Sequence, residues 1–323
     1  LTLLRYTVKV VAERTGLIGG RISTAVTEVE TMKLFALGLI ALAAAFSIGA
    51  YGDEPAAEPT DSERSEMNAK EEFPENRWEE MRTRMETGGA AAVAEFVGAF
   101  NDEEKLKLYS FAQRAFYGRE WEGKSFDGYI DIVNAGIAEG VRQAEAASDP
   151  EDSAKLLDFA NVLSYNLSAD LAECWPGDTL PRERRHFEAG LKAAEDCLRW
   201  REELKKGPFP FSIAYWAKGM HQLSLGEAAD ALENFVKSYD YAREYARAEG
   251  KDDAVSAEGD FVVILGAGYV GLAEWVQSAE TGQGRYEEAV AAFREGAQKY
   301  PDKKDDFQFG IDQLEWVKKK FIK

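Results

Sequence analysis

Residues 261–275 read FVVILGAGYVGLAEW, and the architecture of the chain turns on whether they form a strand and turn or a helix. Gly266, Gly268 and Gly271 stand in G-x-G-x-x-G spacing after the β-branched run Val262–Ile264. That spacing is the sequence sign of a dinucleotide-binding turn. The sign holds only inside a βαβ unit, with an acidic residue about 20 positions on and a parallel sheet around it. Here those positions are Glu287 and Glu288, in the middle of a plain helical pattern, and too little chain follows Gly271 to build such a sheet. NAD binding is therefore set aside, and no cofactor is expected.

The flanking sequence is helix after helix. From Asn76 onward apolar residues recur at three- and four-residue spacing. Arg77 to Phe100 carries Trp78, Met81, Met85, Val93, Phe96, Val97 and Phe100, interrupted at Gly88-Gly89; Asn101 or Asp102 caps the next helix; others follow over about 129–147, 154–174 and 184–204. Period-two patterns are almost absent, and Phe261–Leu265 is the one run that could be a strand. The expected class is all-α over residues 76–323.

Within that region the chain repeats itself. YWAKGMHQLSLGEAADALENFVKSY, residues 215–239, sets Tyr215, Gly219, Gly226, Ala231, Phe235 and Ser238 at offsets where small residues let two antiparallel helices approach and larger ones fill between hairpins. GQGRYEEAVAAFREGAQKYP, residues 282–301, repeats the second half: Gly284 for a turn, Tyr286 at the start of the second helix, Ala289 and Gly296 at close approach, Phe293 as filler and Pro301 as the stop. Its first helix is then the opening stretch, with Leu265-Gly266-x-x-Tyr269 as the core and Val262 ahead of it. Gly219 precedes Ala231 by 12 positions, whereas Gly266 precedes Ala289 by 23. The surplus of about three turns keeps the helix face in phase, and the first helix is expected to run to about Glu280.

This pattern, W-x2-L-G-x2-Y followed by A-x3-F, resembles the tetratricopeptide repeat over residues 212–301, and more weakly over 156–204, where Ala160–Cys174 and Arg184–Leu204 would form a hairpin around the loop WPGDTLPRER. The resemblance implies an irregular stack of antiparallel helical hairpins whose groove holds a protein or peptide partner, with Tyr215, Gln222 and Tyr269 as candidates for that surface. The glycine stretch also resembles the nucleotide-binding start of UDP-sugar dehydrogenases, but over only about a dozen residues, a length at which glycine motifs misfire. The terminal segment spaces Phe307, Ile311, Leu314, Val317 and Phe321 on one helical face, a cap for the open end of the stack. Its Lys318–Lys320 run complements the helix dipole.

With 45% hydrophobic residues the chain can build a sizeable core, and its net charge of -19 repels nucleic acid and anionic lipid surfaces. Met32-Lys33, the apolar run 34–46 and the small residues Ser47, Gly49 and Ala50 form an export leader over 32–50, with residues 1–31 as upstream sequence translated in error. Residues 51–75 are acidic and Pro-rich, expected as a disordered linker. The mature protein is then periplasmic or extracellular, without stable membrane insertion. Cys174 and Cys197 are expected as buried thiols.

No catalytic or metal-binding constellation stands out. His186 and His221 lie outside any H-E-x-x-H pattern, and G-x-S-x-G is absent. The most enzyme-like cluster is Glu120, Glu122 and Asp127 interleaved with Trp121 and Phe126. Two acids in an aromatic-lined loop can hold and hydrolyse a sugar, so an all-α secreted polysaccharide hydrolase is the alternative to a non-enzymatic binding protein.

Overall fold

The structure, a computed structural model, describes residues 73–178 and 180–322. Among them stand ten α-helices and no strand: α1 Trp78–Gly98, α2 Asp102–Gly118, α3 Phe126–Ala146, α4 Pro150–Leu171, α5 Arg184–Glu203, α6 Pro208–Leu225, α7 Ala228–Ala248, α8 Phe261–Gln277, α9 Ala279–Lys299 and α10 Lys304–Phe321. The expectations for residues 1–31, for the leader at 32–50 and for the linker up to residue 72 fall outside the described residues. Phe73 to Glu75, expected as the end of that linker, belong to the fold instead. The Phe73 ring sits 5.9 Å from that of Phe100, and Glu75–Arg77 makes a 3-10 turn. An aromatic side chain gains too much from burial to stay in a polar tail.

The chain divides into two compact units, one ending at Asp170 and the other beginning at Leu171. In the first, α1 packs on α2 and α3, and α2 on α3. α1 bends at Gly89, whose φ of 66° only glycine adopts readily, as the Gly88-Gly89 interruption predicts. Asn101 caps α2 in a capping box with Glu104, its side chain accepting from the Glu104 N–H at 3.0 Å. Trp78, Phe111, Phe116 and Trp121 form one aromatic cluster with edge-on and tilted contacts of 5.3–6.4 Å. Behind it, Gln113 donates to the buried Asp170 carboxylate at 2.9 Å, and the Tyr129 hydroxyl also donates to it. Burial, then the charge of Asp170, holds the Tyr129 phenol well above its ordinary value.

In the second unit each helix packs on the next, α5 through α10, and α10 also returns to α8. α5 packs on α6, and Cys174, expected at the end of a helix, lies in the loop beyond the end of α4. α6 and α7 form the first expected hairpin. A Cβ on Gly219 would stand 2.8 Å from the Phe235 ring, so the small residue is what admits the phenyl group. Gly226 ends α6 in the left-handed region, φ 85°. Ala231 and Phe235 are buried.

The stretch that opened the sequence analysis is helix α8, and its three glycines serve three neighbours. Gly266 faces Tyr239 of α7, where a Cβ would lie 3.3 Å from the Tyr239 Cα; Gly268 faces Leu314 of α10 at 2.6 Å; Gly271 faces the Tyr286 backbone nitrogen of α9 at 2.6 Å. A helix contacted on several sides needs small residues wherever another backbone crosses it. Leu265 is half-buried beside Gly266.

Two expectations for the second hairpin are corrected. α8 stops at Gln277 rather than near Glu280, and Gly284 is not a turn: it lies inside α9, which starts at Ala279. Measured against the first hairpin, the surplus is shared between both helices: α8 gains five residues at its end, α9 gains seven at its start, and the turn is one residue shorter. The turn is at Ser278, whose extended backbone (φ -161°) serves both helix ends, and the close crossing is Gly271 on Gly282. Tyr286, Ala289 and Phe293 are buried as expected, and α9 ends just before Pro301. α10 covers this hairpin through Phe307, 6.3 Å from Phe293. Of the lysine run, Lys318 sits over the rings of Trp275 (4.9 Å) and Tyr286 (5.0 Å), and Lys320 pairs with Glu173.

Candidate functional site

A groove of about 730 Å³ opens in the second unit between α7, α8, α9 and the loop that joins α7 to α8. Each wall follows from local sequence. α7 presents Tyr239 and Arg243, one helical turn apart. α8 contributes Ala267 and Glu274, seven residues apart and so on one face; α9 contributes Arg285 and Glu288. The close seat of α8 on α7 through Gly266 puts Ala267 at the floor.

The fourth wall is Asp253, Ala254 and Val255, and their loop is tied down along its length. Gly250 leaves α7 with φ 65°; the Asp260 N–H donates to the Asp252 carbonyl at 2.9 Å; the Asp252 side chain accepts from the Ala254 N–H at 3.0 Å. Lys251 pairs with Asp260 at 3.0 Å, and Glu258 pairs with Lys299 of α9. The Asp253 carboxylate accepts from Arg247 at 2.7 Å and from Arg243 at 3.1 Å, and the Arg247 hydrogen bond first, against a desolvation cost, holds its carboxyl below the ordinary range. On the facing rim Arg285 meets Glu274 at 3.2 Å. Glu288 is exposed, with no ion-pair partner among the described residues.

The structure does not bring the sequence candidates Tyr215, Gln222 and Tyr269 together in a groove. Tyr215 stacks on Tyr241 (5.7 Å, 7°) beneath Lys237, in a half-buried aromatic strip that continues through Phe211. Gln222 is 7% exposed and accepts from the Asn234 amide at 2.8 Å, joining α6 to α7. Tyr269 is fully buried between Trp216 (5.9 Å) and Phe235 (5.3 Å). Its hydroxyl lies next to the Cys174 thiol, and burial raises both groups well above their ordinary values. Gln222 and Tyr269 are thus not surface residues: Tyr269 of α8 is buried against Trp216 of α6 and Phe235 of α7, and Gln222 is taken up by Asn234 at the α6–α7 contact. The groove residues escaped the sequence reading because charged positions on helix faces are too common to single out. Their one legible signal is KDDAVSAEGD, residues 251–260, longer than a hairpin turn and rich in Asp.

The remaining chemistry-bearing residues have structural surroundings. His186 accepts at Nδ1 from the Glu183 N–H at 3.0 Å and helps start α5, while His221 is buried against Gly190. Trp121 donates from its indole to the Phe116 carbonyl at 3.3 Å; Glu120, Glu122 and Asp127 are exposed, and Glu120 pairs with Lys124 at 3.4 Å. Cys174 and Cys197 are buried, and no disulfide joins them. Among the described residues there is no cluster of metal-ligating side chains, and no helix is long and apolar enough to cross a membrane. No family profile, curated protein or solved structure matches the chain.

Proposed function

We propose that this protein is a non-enzymatic helical-repeat module, of tetratricopeptide type in its hairpins, that holds an extended segment of a protein partner outside the cytoplasm. The observation that carries this reading is the groove: about 730 Å³, inside the range of small-ligand sites, with Tyr239, Ala267 and Val255 offering apolar contact and fixed ion pairs along its rims. A wall held by this many contacts loses little further freedom on binding, which leaves more of the contact energy for affinity. Export rests on the leader pattern at residues 32–50.

The test is Ala254→Trp. Ala254 is exposed on the loop wall, so an indole there fills the groove without entering the core. Binding of a peptide ligand, selected from a library displayed against the full chain, falls by about tenfold or more, roughly 1.4 kcal/mol, while the melting temperature stays within about 2 °C. Unchanged affinity in a folded variant would remove the groove as the binding site.

A further inference from the structure

We propose that the angle between the rings of Trp275 and Tyr286 is a site for a quaternary ammonium group, filled in the free protein by the chain's own Lys318. The two rings stand 5.7 Å apart with their planes at 62°. They meet because the glycines at the α8–α9 crossing are small: Gly271 lies against the Tyr286 backbone, where a Cβ would stand 2.6 Å from the nitrogen, and Gly282 lies against the backbone of Trp275. Tyr286 is buried and Trp275 half-buried, so one wall is fixed by the core and the other reaches solvent. Lys318, in the last turn of α10, sets its ammonium 4.9 Å from the Trp275 ring and 5.0 Å from that of Tyr286. Two π faces on one cation is the arrangement that recognises quaternary ammonium ligands.

A primary ammonium is a poor match for these walls. It carries three N–H donors and is strongly hydrated. No carboxylate among the described residues pairs with Lys318: Glu315, less than one turn back, meets Arg294 at 3.1 Å, and Glu173 takes Lys320. A quaternary ammonium has no N–H to satisfy and presents methyl groups to both rings, so it gains from the same faces and leaves no donor without an acceptor. Lys318 keeps its place because it is tethered, which gives it a high effective concentration at the rings. Its tether is the last turn of a helix that ends at Phe321, and helix ends open at the least cost. A ligand therefore competes with a fraying turn rather than with the packed core.

The experiment titrates choline into the full chain, against NaCl at equal ionic strength, and follows the indole N–H signals by heteronuclear NMR; the signal missing from Trp275→Phe identifies Trp275. Choline is expected to bind Lys318→Ala at least about fivefold more tightly than wild type, because Lys318 no longer competes. Lys318→Arg keeps a cation on the rings and is expected to bind as weakly as wild type. The carbon isostere of choline, with a tert-butyl group in place of the trimethylammonium, is expected to bind Lys318→Ala at least about fivefold more weakly than choline does. In wild type, choline is expected to speed amide exchange over residues 317–321, a readout that needs no variant.

Equal binding to wild type and Lys318→Ala would mean that Lys318 does not fill the site, and equal binding of the uncharged isostere would mean an apolar crevice; either result overturns the inference. A Trp275 signal that choline leaves unmoved in a folded Lys318→Ala variant overturns it as well. If that variant does not fold, the wild-type exchange decides, and protection over residues 317–321 that is the same in choline as in NaCl overturns the inference.

Discussion

A Cβ placed on Gly219 meets the Phe235 ring at 2.8 Å, whereas one placed on Gly284 meets nothing within 4 Å. The same substitution therefore has opposite signs at the two sites. Gly219→Ala overpacks the α6–α7 crossing and is expected to cost about 1–3 kcal/mol. Gly284→Ala sits within a helix, removes unfolded-state freedom and is expected to add about 0.5–1 kcal/mol. Urea denaturation of the pair checks both, and destabilisation by Gly284→Ala would restore the turn expected from the sequence. Asp306, in the first turn of α10, is a second case. Its Oδ1 is buried without a donor, and burial, aided by the negative charges of Asp305 and Asp302, pushes its carboxyl above the ordinary value. A carboxyl raised in the folded state contributes fully below its unfolded value, near 3.9, and that contribution is lost as pH rises through the folded value. Asp306→Asn is therefore expected to raise the melting temperature at pH 7 and to lose that gain near pH 4; melts at the two pH values decide it.

At the scale of elements, α8 is held by two backbone approaches, at Gly266 and Gly271, and by the Leu314 side chain at Gly268. The tightest facing residue is Gly282, where an added Cβ would collide with the Trp275 backbone nitrogen. Backbone cannot rotate aside as a side chain can, so Gly282→Ala is expected to separate α8 from α9 and cost about 3 kcal/mol or more. Denaturant titration measures the cost, and amide exchange protection lost first in α8 and α9 locates it. The helical nature of α8 was legible in advance, from Leu265-Gly266-x-x-Tyr269 and from the absence of any strand to complete a nucleotide fold. Its end was not. Nothing in AEWVQSAETGQGRY, residues 273–286, distinguishes a turn at Gly284 from one at Ser278, because glycine there serves a helix crossing rather than a bend.

For the whole molecule the governing quantity is the net charge of -19. Its exposed ion pairs, such as Lys107–Glu103 and Lys155–Asp152, are screened by solvent and contribute little, so self-repulsion is expected to outweigh them. Raising NaCl from low to physiological concentration shortens the screening length to about 8 Å and is expected to raise the melting temperature by a few degrees. A lower melting temperature in salt would mean that attractive pairs dominate.

Sequence alone determined the all-α class, the α6–α7 hairpin, an interruption at Gly88-Gly89 and a cap at Asn101 or Asp102, because each depends on spacing and propensity within a few turns of chain; the structure placed the bend at Gly89 and the cap at Asn101. It also placed Gly219, Ala231, Phe235, Ala289 and Phe293 in the core by their repeat offsets. Tertiary structure alone decided that Tyr269 and Gln222 face inward, that the second hairpin turns at Ser278, and that Tyr239, Arg243, Asp253, Glu274, Arg285 and Glu288 share one groove. Those outcomes depend on which helix lies against which, and side chains far apart in sequence meet only when the crossings have been set by packing.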